Sequence, residues 1–251
     1  MLGVMQPPIA RQKYLAYEVD RSRKDWTLPE ETVPESRAHD LILDLLKALL
    51  AAWVARTGRH AQVGRNLAIR WDEDHPNVGA DPDIYVVEPP PPEGDRVESL
   101  RLWMPGHHPL LLAVEVVSST NAVKDYEQAP DKHAAAGTQE LWVFDPGMNG
   151  PKSRGGPARL QIWSRTDDGP FQRIYRGEGP ARSPALGAWL FAVDEGERLR
   201  IADDPGGTIW WMTPTEAERA AKEQERAAKE AALARIAELE AALASRTSGA
   251  G

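Results

Sequence analysis

Between Ser36 and about Thr57, apolar residues recur every three or four positions. Leu41, Ile42, Leu45, Leu46, Leu49, Leu50 and Trp53 share one side of a predicted helix. Ser36 is placed to cap its start and Gly58 to end it. Beyond Gly58 the period shortens. Runs at 61–63, 67–71, 84–87, 111–117, 140–144, 160–164 and 171–176 read as strands. Pro/Gly-rich segments at 88–94 and 146–157 read as loops. One helical stretch of roughly 122–136 separates the runs at 111–117 and 140–144; Pro130 starts or interrupts it and Gly137 closes it. Residues 1–35 read as polar and irregular, and 183–212 as a strand-rich flap carrying Trp189, Trp210 and Trp211.

This order of elements predicts one α/β domain over residues 1–212, with helices packed on a central sheet. At Thr213 the composition changes to Ala, Glu, Lys and Arg, which predicts a charged helix and tail over 213–251. Pro214 suits the first helical position, and Glu218–Lys222, Glu225–Lys229 and Arg226–Glu230 are spaced to pair along an exposed face. Its apolar seam is thin: Ala232, Ile236, Leu239 and Leu243. Two readings fit that seam, a solvated helix with a frayed tail and a short coiled coil joining a second copy or a partner protein.

The 251 residues include no cysteine, which excludes disulfides, thiolate metal sites and a cysteine nucleophile. With no run of membrane-spanning length and no signal-peptide pattern, a cytoplasmic protein is the expectation. A formal net charge of −8 argues against a passive nucleic-acid binder, but not against an enzyme whose acidic site is neutralised by a cation.

The candidate chemistry lies in two strand runs, Pro82-Asp83-Ile84-Tyr85-Val86-Val87 and Leu111-Leu112-Ala113-Val114-Glu115-Val116-Val117-Ser118. Each carries one carboxylate. A buried carboxylate is costly unless something neutralises it, and two on neighbouring strands repel unless a divalent cation lies between them. Asp83 and Glu115 thus fit a Mg²⁺ (or Mn²⁺) site for phosphodiester chemistry. Asp125, Asp131, Lys132 and His133 follow on the segment after the Glu115 strand, where a helix folding back over the sheet can point them at the same place. Lys132 could there hold the attacking water or offset phosphate charge.

The joint order of Pro82-Asp83, Glu115-Val116-Val117-Ser118, Asp125, Gly137 and Glu140-Leu141-Trp142-Val143-Phe144-Asp145-Pro146 resembles the PD-(D/E)XK nuclease superfamily. More closely, it is similar to the Uma-type restriction endonucleases. His39 near the start of the first helix, Arg182-Ser183, Leu199-Arg200 and the charged C-terminal helix follow the same family order, so the likeness covers most of the chain. The resemblance implies a restriction-endonuclease-like mixed sheet flanked by helices. It also implies Asp83 and Glu115 as metal-binding carboxylates, with the Val116 carbonyl as a third oxygen ligand. The superfamily's lysine, two residues after the glutamate, falls on Val117; the position this family commonly uses instead falls on Ala129, and its helix tyrosine on His133. Lys132 is the replacement candidate, with Lys124 second. Glu35 or Glu31 could add a further acid, Asp125 is a lesser catalytic candidate, and His39 is read as a capping or packing residue. His60, His107 and His108 are read as surface residues, having no partner at metal-ligand spacing.

The expected activity is Mg²⁺-dependent hydrolysis of DNA. Two alternatives stand beside it: a decayed nuclease fold serving as a binding scaffold, favoured by Val117 and Ala129, and a nuclease acting on RNA or a nucleotide.

Overall fold

The computed structural model describes residues 16–17, 37–119, 122–165 and 169–248. Ser36, Glu31 and Glu35 lie outside the described residues. Contacts divide the chain into two compact units, Met1–Trp211 and Met212–Gly251.

The first unit runs β1 (Ala16–Tyr17), α1 (Arg37–Thr57), β2 (Gln62–Arg65), β3 (Ala68–Arg70), β4 (Gly79–Ala80), β5 (Ile84–Val87), β6 (Ser99–Arg101), β7 (Leu110–Val116), α2 (Ala129–Ala135) and β8 (Glu140–Phe144). It continues through β9 (Leu160–Arg165), β10 (Phe171–Gly177), β11 (Ala181–Ser183), β12 (Ala188–Val193) and β13 (Arg198–Ala202). A seven-stranded sheet has the order β1-β10-β9-β8-β7-β5-β2, and two three-stranded sheets have the orders β11-β12-β13 and β4-β3-β6. In the large sheet β7 and β8 are parallel and the other pairs antiparallel, so the sheet is mixed as expected. A parallel pair needs a crossover, and the segment containing α2 supplies it.

The seven strand runs all form strands, within a residue or two at their ends. Three things differ from expectation. Ala16–Tyr17, in the segment read as irregular, pairs with β10. The short strands β4 and β6 were not foreseen; they pair with β3 and carry too few apolar residues to show a period. The helical stretch after β7 is not one α-helix: Lys124–Gln128 is a π-helical turn, and α2 follows with Pro130 in its first turn.

Alternation in the strands sorts two cores onto the two faces of the large sheet. Ile84, Val86, Leu112, Val114, Trp142 and Phe144 join the core that includes Leu43, Leu46 and Leu50 of α1 and Leu190 and Ile201 of the flap. Trp211 closes that side, stacked on Trp53 at 5.9 Å. Tyr85, Val87, Ala113, Leu141 and Val143 join the second core, with Ile69, Leu100, Tyr126 and Ala135. Leu41, expected on the buried side of α1, is exposed; Leu43 takes that role.

The second unit is dominated by α3 (Pro214–Ser248). Thr213 and Glu216 form a reciprocal capping box: Thr213 Oγ1 accepts the Glu216 N–H at 3.2 Å, and Glu216 Oε2 accepts the Thr213 N–H at 2.8 Å. Lys222–Glu218 and Arg226–Glu230 pair at 2.6 and 2.9 Å. Leu233, Ile236 and Leu239 are exposed. No described helix is long and apolar enough to cross a membrane.

Candidate active site

Asp83 immediately precedes β5, and Glu115 lies near the end of β7. The antiparallel register pairs Ile84 with Val114, so one step further sets Asp83 opposite Glu115. By alternation with Tyr85 on β5, and with Ala113 and Val117 around Glu115, both carboxylates face the second core. Asp83 is fixed by the Val116 N–H, which donates to its Oδ2 at 2.7 Å, and His39 Nε2 of α1 lies 3.7 Å from the same oxygen. Glu115 is buried. Its Oε1 pairs with His133 Nε2 of α2 at 3.2 Å, while its Oε2 has no hydrogen-bond partner among the described residues.

Further charged groups converge on this pair. Asp81 lies in the loop before β5, with Lys124 Nζ 3.8 Å from its Oδ1. Lys132 is buried on α2. Burial works to raise the Glu115 carboxyl, but Lys124, His133 and Lys132 together hold it below its ordinary value. The Asp83 carboxyl is pushed well up by burial and by the Glu115 charge, with the Val116 N–H pulling back. Asp125 is pushed up to about 8, by burial first and the Glu115 charge second, although the Ser118 N–H donates to it. Burial likewise raises Asp81, against the pull of Lys124. The Glu115 charge, ahead of Asp81, Asp125 and Asp83, raises Lys124 well above the ordinary lysine range, whereas burial lowers Lys132. Three of its acids, Asp81, Asp83 and Asp125, thus gain protons more readily than usual, through burial first and the Glu115 charge after it.

The structure therefore brings together Asp83, Glu115, Val116, Asp125 and Lys132 from the expected set. Both lysines act on Glu115, Lys124 with the larger electrostatic effect. Lys132 was favoured as lying one turn after Ala129, and both positions fall in α2; Lys124 comes from the π-helical turn before it. Asp81 was missed, although Asp81-Pro82-Asp83 displays a second acid two residues from the first. His107, expected at the surface, is buried: its Nδ1 accepts the Arg101 N–H at 3.0 Å, and its Nε2 pairs with Glu93. Its partners are Arg101, at the end of β6, a strand with no sequence signal, and Glu93, in the preceding Pro/Gly-rich loop.

A family model described as "Uma2: Putative restriction endonuclease" matches residues 11–154. The chain belongs to the Uma2 family. That match spans α1 to β8 and holds every residue of the Asp83–Glu115 cluster; β9 to β13 and α3 lie beyond it. Among solved structures, "Crystal structure of a putative nuclease belonging to DUF820 from Anabaena variabilis ATCC 29413" is similar at 14% identity with a TM-score of 0.42, covering 62% of this chain and 76% of that one. No curated protein matches the chain.

The residues in the cluster fit a hard divalent cation. Glu115 offers a buried oxygen with no donor, and a cation beside Asp83 would offset the burial, and the Glu115 repulsion after it, that raise its carboxyl. Among the described residues, no group of three or more His, Asp or Glu is placed so that it could hold a metal ion. The pair would therefore hold an ion with backbone oxygen and water completing its shell, as Mg²⁺ commonly is held.

Proposed function

We propose that this chain is an endonuclease that hydrolyses phosphodiester bonds in DNA with Mg²⁺ or Mn²⁺. The observation that carries the reading is the facing pair Asp83 and Glu115, with Glu115 Oε2 buried and undonated. Membership of the Uma2 family supports it. Asp83 and Glu115 would hold the cation with the Val116 carbonyl. The ion would polarise the phosphate and lower the pKa of water. Lys124, whose ammonium is held charged by Glu115, would offset negative charge on the phosphate oxygens. Lys132, whose burial weakens its hold on a proton, is the better placed of the two to accept one from the attacking water. Asp125 would hold a proton near neutral pH and limit the negative charge around the pair.

The test is cleavage of supercoiled plasmid with Mg²⁺, with Mn²⁺ and with EDTA, by the wild type and by Asp83→Asn and Glu115→Gln. Metal-dependent nicking that both substitutions abolish is the expected result. Cleavage of RNA with plasmid left intact would move the substrate. A second reading, a decayed scaffold, is favoured by the lack, among the described residues, of a group of three or more His, Asp or Glu that could hold a metal ion, and by Val117 and Ala129 at the lysine positions. A folded wild type inert on every substrate would select it.

A further inference from the structure

The C-terminal end of α2 is closed in a Schellman arrangement. Gly137, at φ +75°, adopts the left-handed conformation such a cap requires. The Gly137 N–H bonds the Ala134 carbonyl at 3.2 Å, and the Thr138 N–H bonds the His133 carbonyl at 3.0 Å. This cap brings the side chains of the residues at its two ends together, commonly as an apolar contact. Here the contact is polar: Thr138 Oγ1 lies 3.2 Å from His133 Nδ1. Both residues are fully buried, and the other ring nitrogen of His133 reaches Glu115 Oε1 at 3.2 Å. An ionised Glu115 can only accept, so His133 Nε2 donates to it; the Thr138 hydroxyl, which can both donate and accept, meets Nδ1.

We propose that His133 and Thr138 are positioning residues for cation binding: the helix cap fixes Thr138, Thr138 fixes the imidazole ring, and the ring occupies Glu115 Oε1 so that Oε2 alone faces the site. The inference rests on the reading of Asp83 and Glu115 as the cation site. Groups that hydrogen-bond a ligating carboxylate set its orientation, and their loss typically weakens metal binding 10- to 100-fold. A carboxylate free to turn about its last bond would also spend time with both oxygens away from the ion. His133 would not touch the cation or the phosphate; it acts through Glu115.

The experiment is a calorimetric titration of the full chain with Mn²⁺, alongside circular dichroism for fold. Thr138→Val keeps shape and removes only the hydroxyl, so it guards against a misfolded His133 variant. We expect Glu115→Gln to abolish the binding seen in the wild type. We expect His133→Phe to weaken it by about 10-fold or more and Thr138→Val by a smaller factor. His133→Gln, which keeps an N–H donor, should recover part of the loss. Wild-type affinity in folded His133→Phe and Thr138→Val would overturn the positioning role while leaving the cation site standing. No Glu115-dependent binding in the wild type would overturn the cation site, and this inference with it.

Discussion

Glu115 and Glu140 are buried glutamates on neighbouring parallel strands, and their surroundings differ in kind. Glu140 faces the α1 core, where neutral donors use both its oxygens. Trp142 Nε1 donates to Oε1 at 2.6 Å, the Ser183 hydroxyl donates to the same oxygen, and the Ala185 N–H donates to Oε2 at 2.9 Å. It joins β8 to the turn after β11. Glu115 faces the other core, where one oxygen has no donor and its partners include two lysines and a histidine. Asp145 behaves like Glu140: Tyr126, Asn149 and Gly150 donate to its two oxygens. Burial of a carboxylate therefore does not mark a site. What sets Glu115 apart is an oxygen with no donor beside charged side chains, a valence the fold leaves unused.

The comparison can be broken first at Glu115. Glu115→Gln should cut cleavage by roughly 10²- to 10³-fold or more, the scale of losing one charge-stabilising group. It should leave stability within about 1 kcal/mol, because His133 keeps an acceptor and a buried charge is removed. Cleavage kinetics and urea denaturation measure the two halves. Glu140→Ala should do the reverse. Three donors lose their acceptor, which costs about 3 kcal/mol, a fall in Tm of about 6–12 °C for a domain of this size. Calorimetric melting tests that, and the residual folded protein should still cleave.

A smaller effect separates the two by pH. Burial raises the Glu140 carboxyl above its ordinary 4.5, and its hydrogen bonds do not fully offset this. A raised carboxyl stabilises the fold fully below the ordinary value, and that contribution is lost as pH rises through the folded value. Glu115 is lowered, so its contribution is present above 4.5 and lost as pH falls through the folded value. In metal-free protein, the deficit of Glu140→Gln against the wild type should shrink as pH rises above 4.5, and that of Glu115→Gln should shrink as pH falls below it. Denaturant midpoints across that range check both signs. Least is expected from truncation after Met212. Residues 1–212 should fold and cleave like the full chain, because the buried apolar clusters all lie before that point. Sedimentation and the plasmid assay test it, and loss of soluble protein would contradict it.

Much of this contrast was open to sequence reading. Asp83 and Glu115 each stand alone in an apolar, β-branched run, and the period-two pattern puts strands around both. Glu140 was visible only as the start of such a run. Its satisfaction depends on Ser183 and Ala185, more than forty positions away and brought close by the flap. That Lys124 also acts on Glu115 depends on where the π-helical turn before α2 carries it, which spacing along the sequence does not show. Gly137-Thr138 announced a helix end, but that the cap would hold a histidine against Glu115 depends on where α2 crosses the sheet. His107 was hidden for a similar reason: its partners are Arg101 of the short strand β6 and Glu93 of the loop before it, neither of which carries an apolar period.

The most direct test is plasmid cleavage at saturating Mg²⁺ by the wild type, Glu140→Gln and Glu115→Gln, each shown to be folded. The account predicts cleavage by the first two and none by the third. Cleavage by folded Glu115→Gln at the wild-type rate would contradict it.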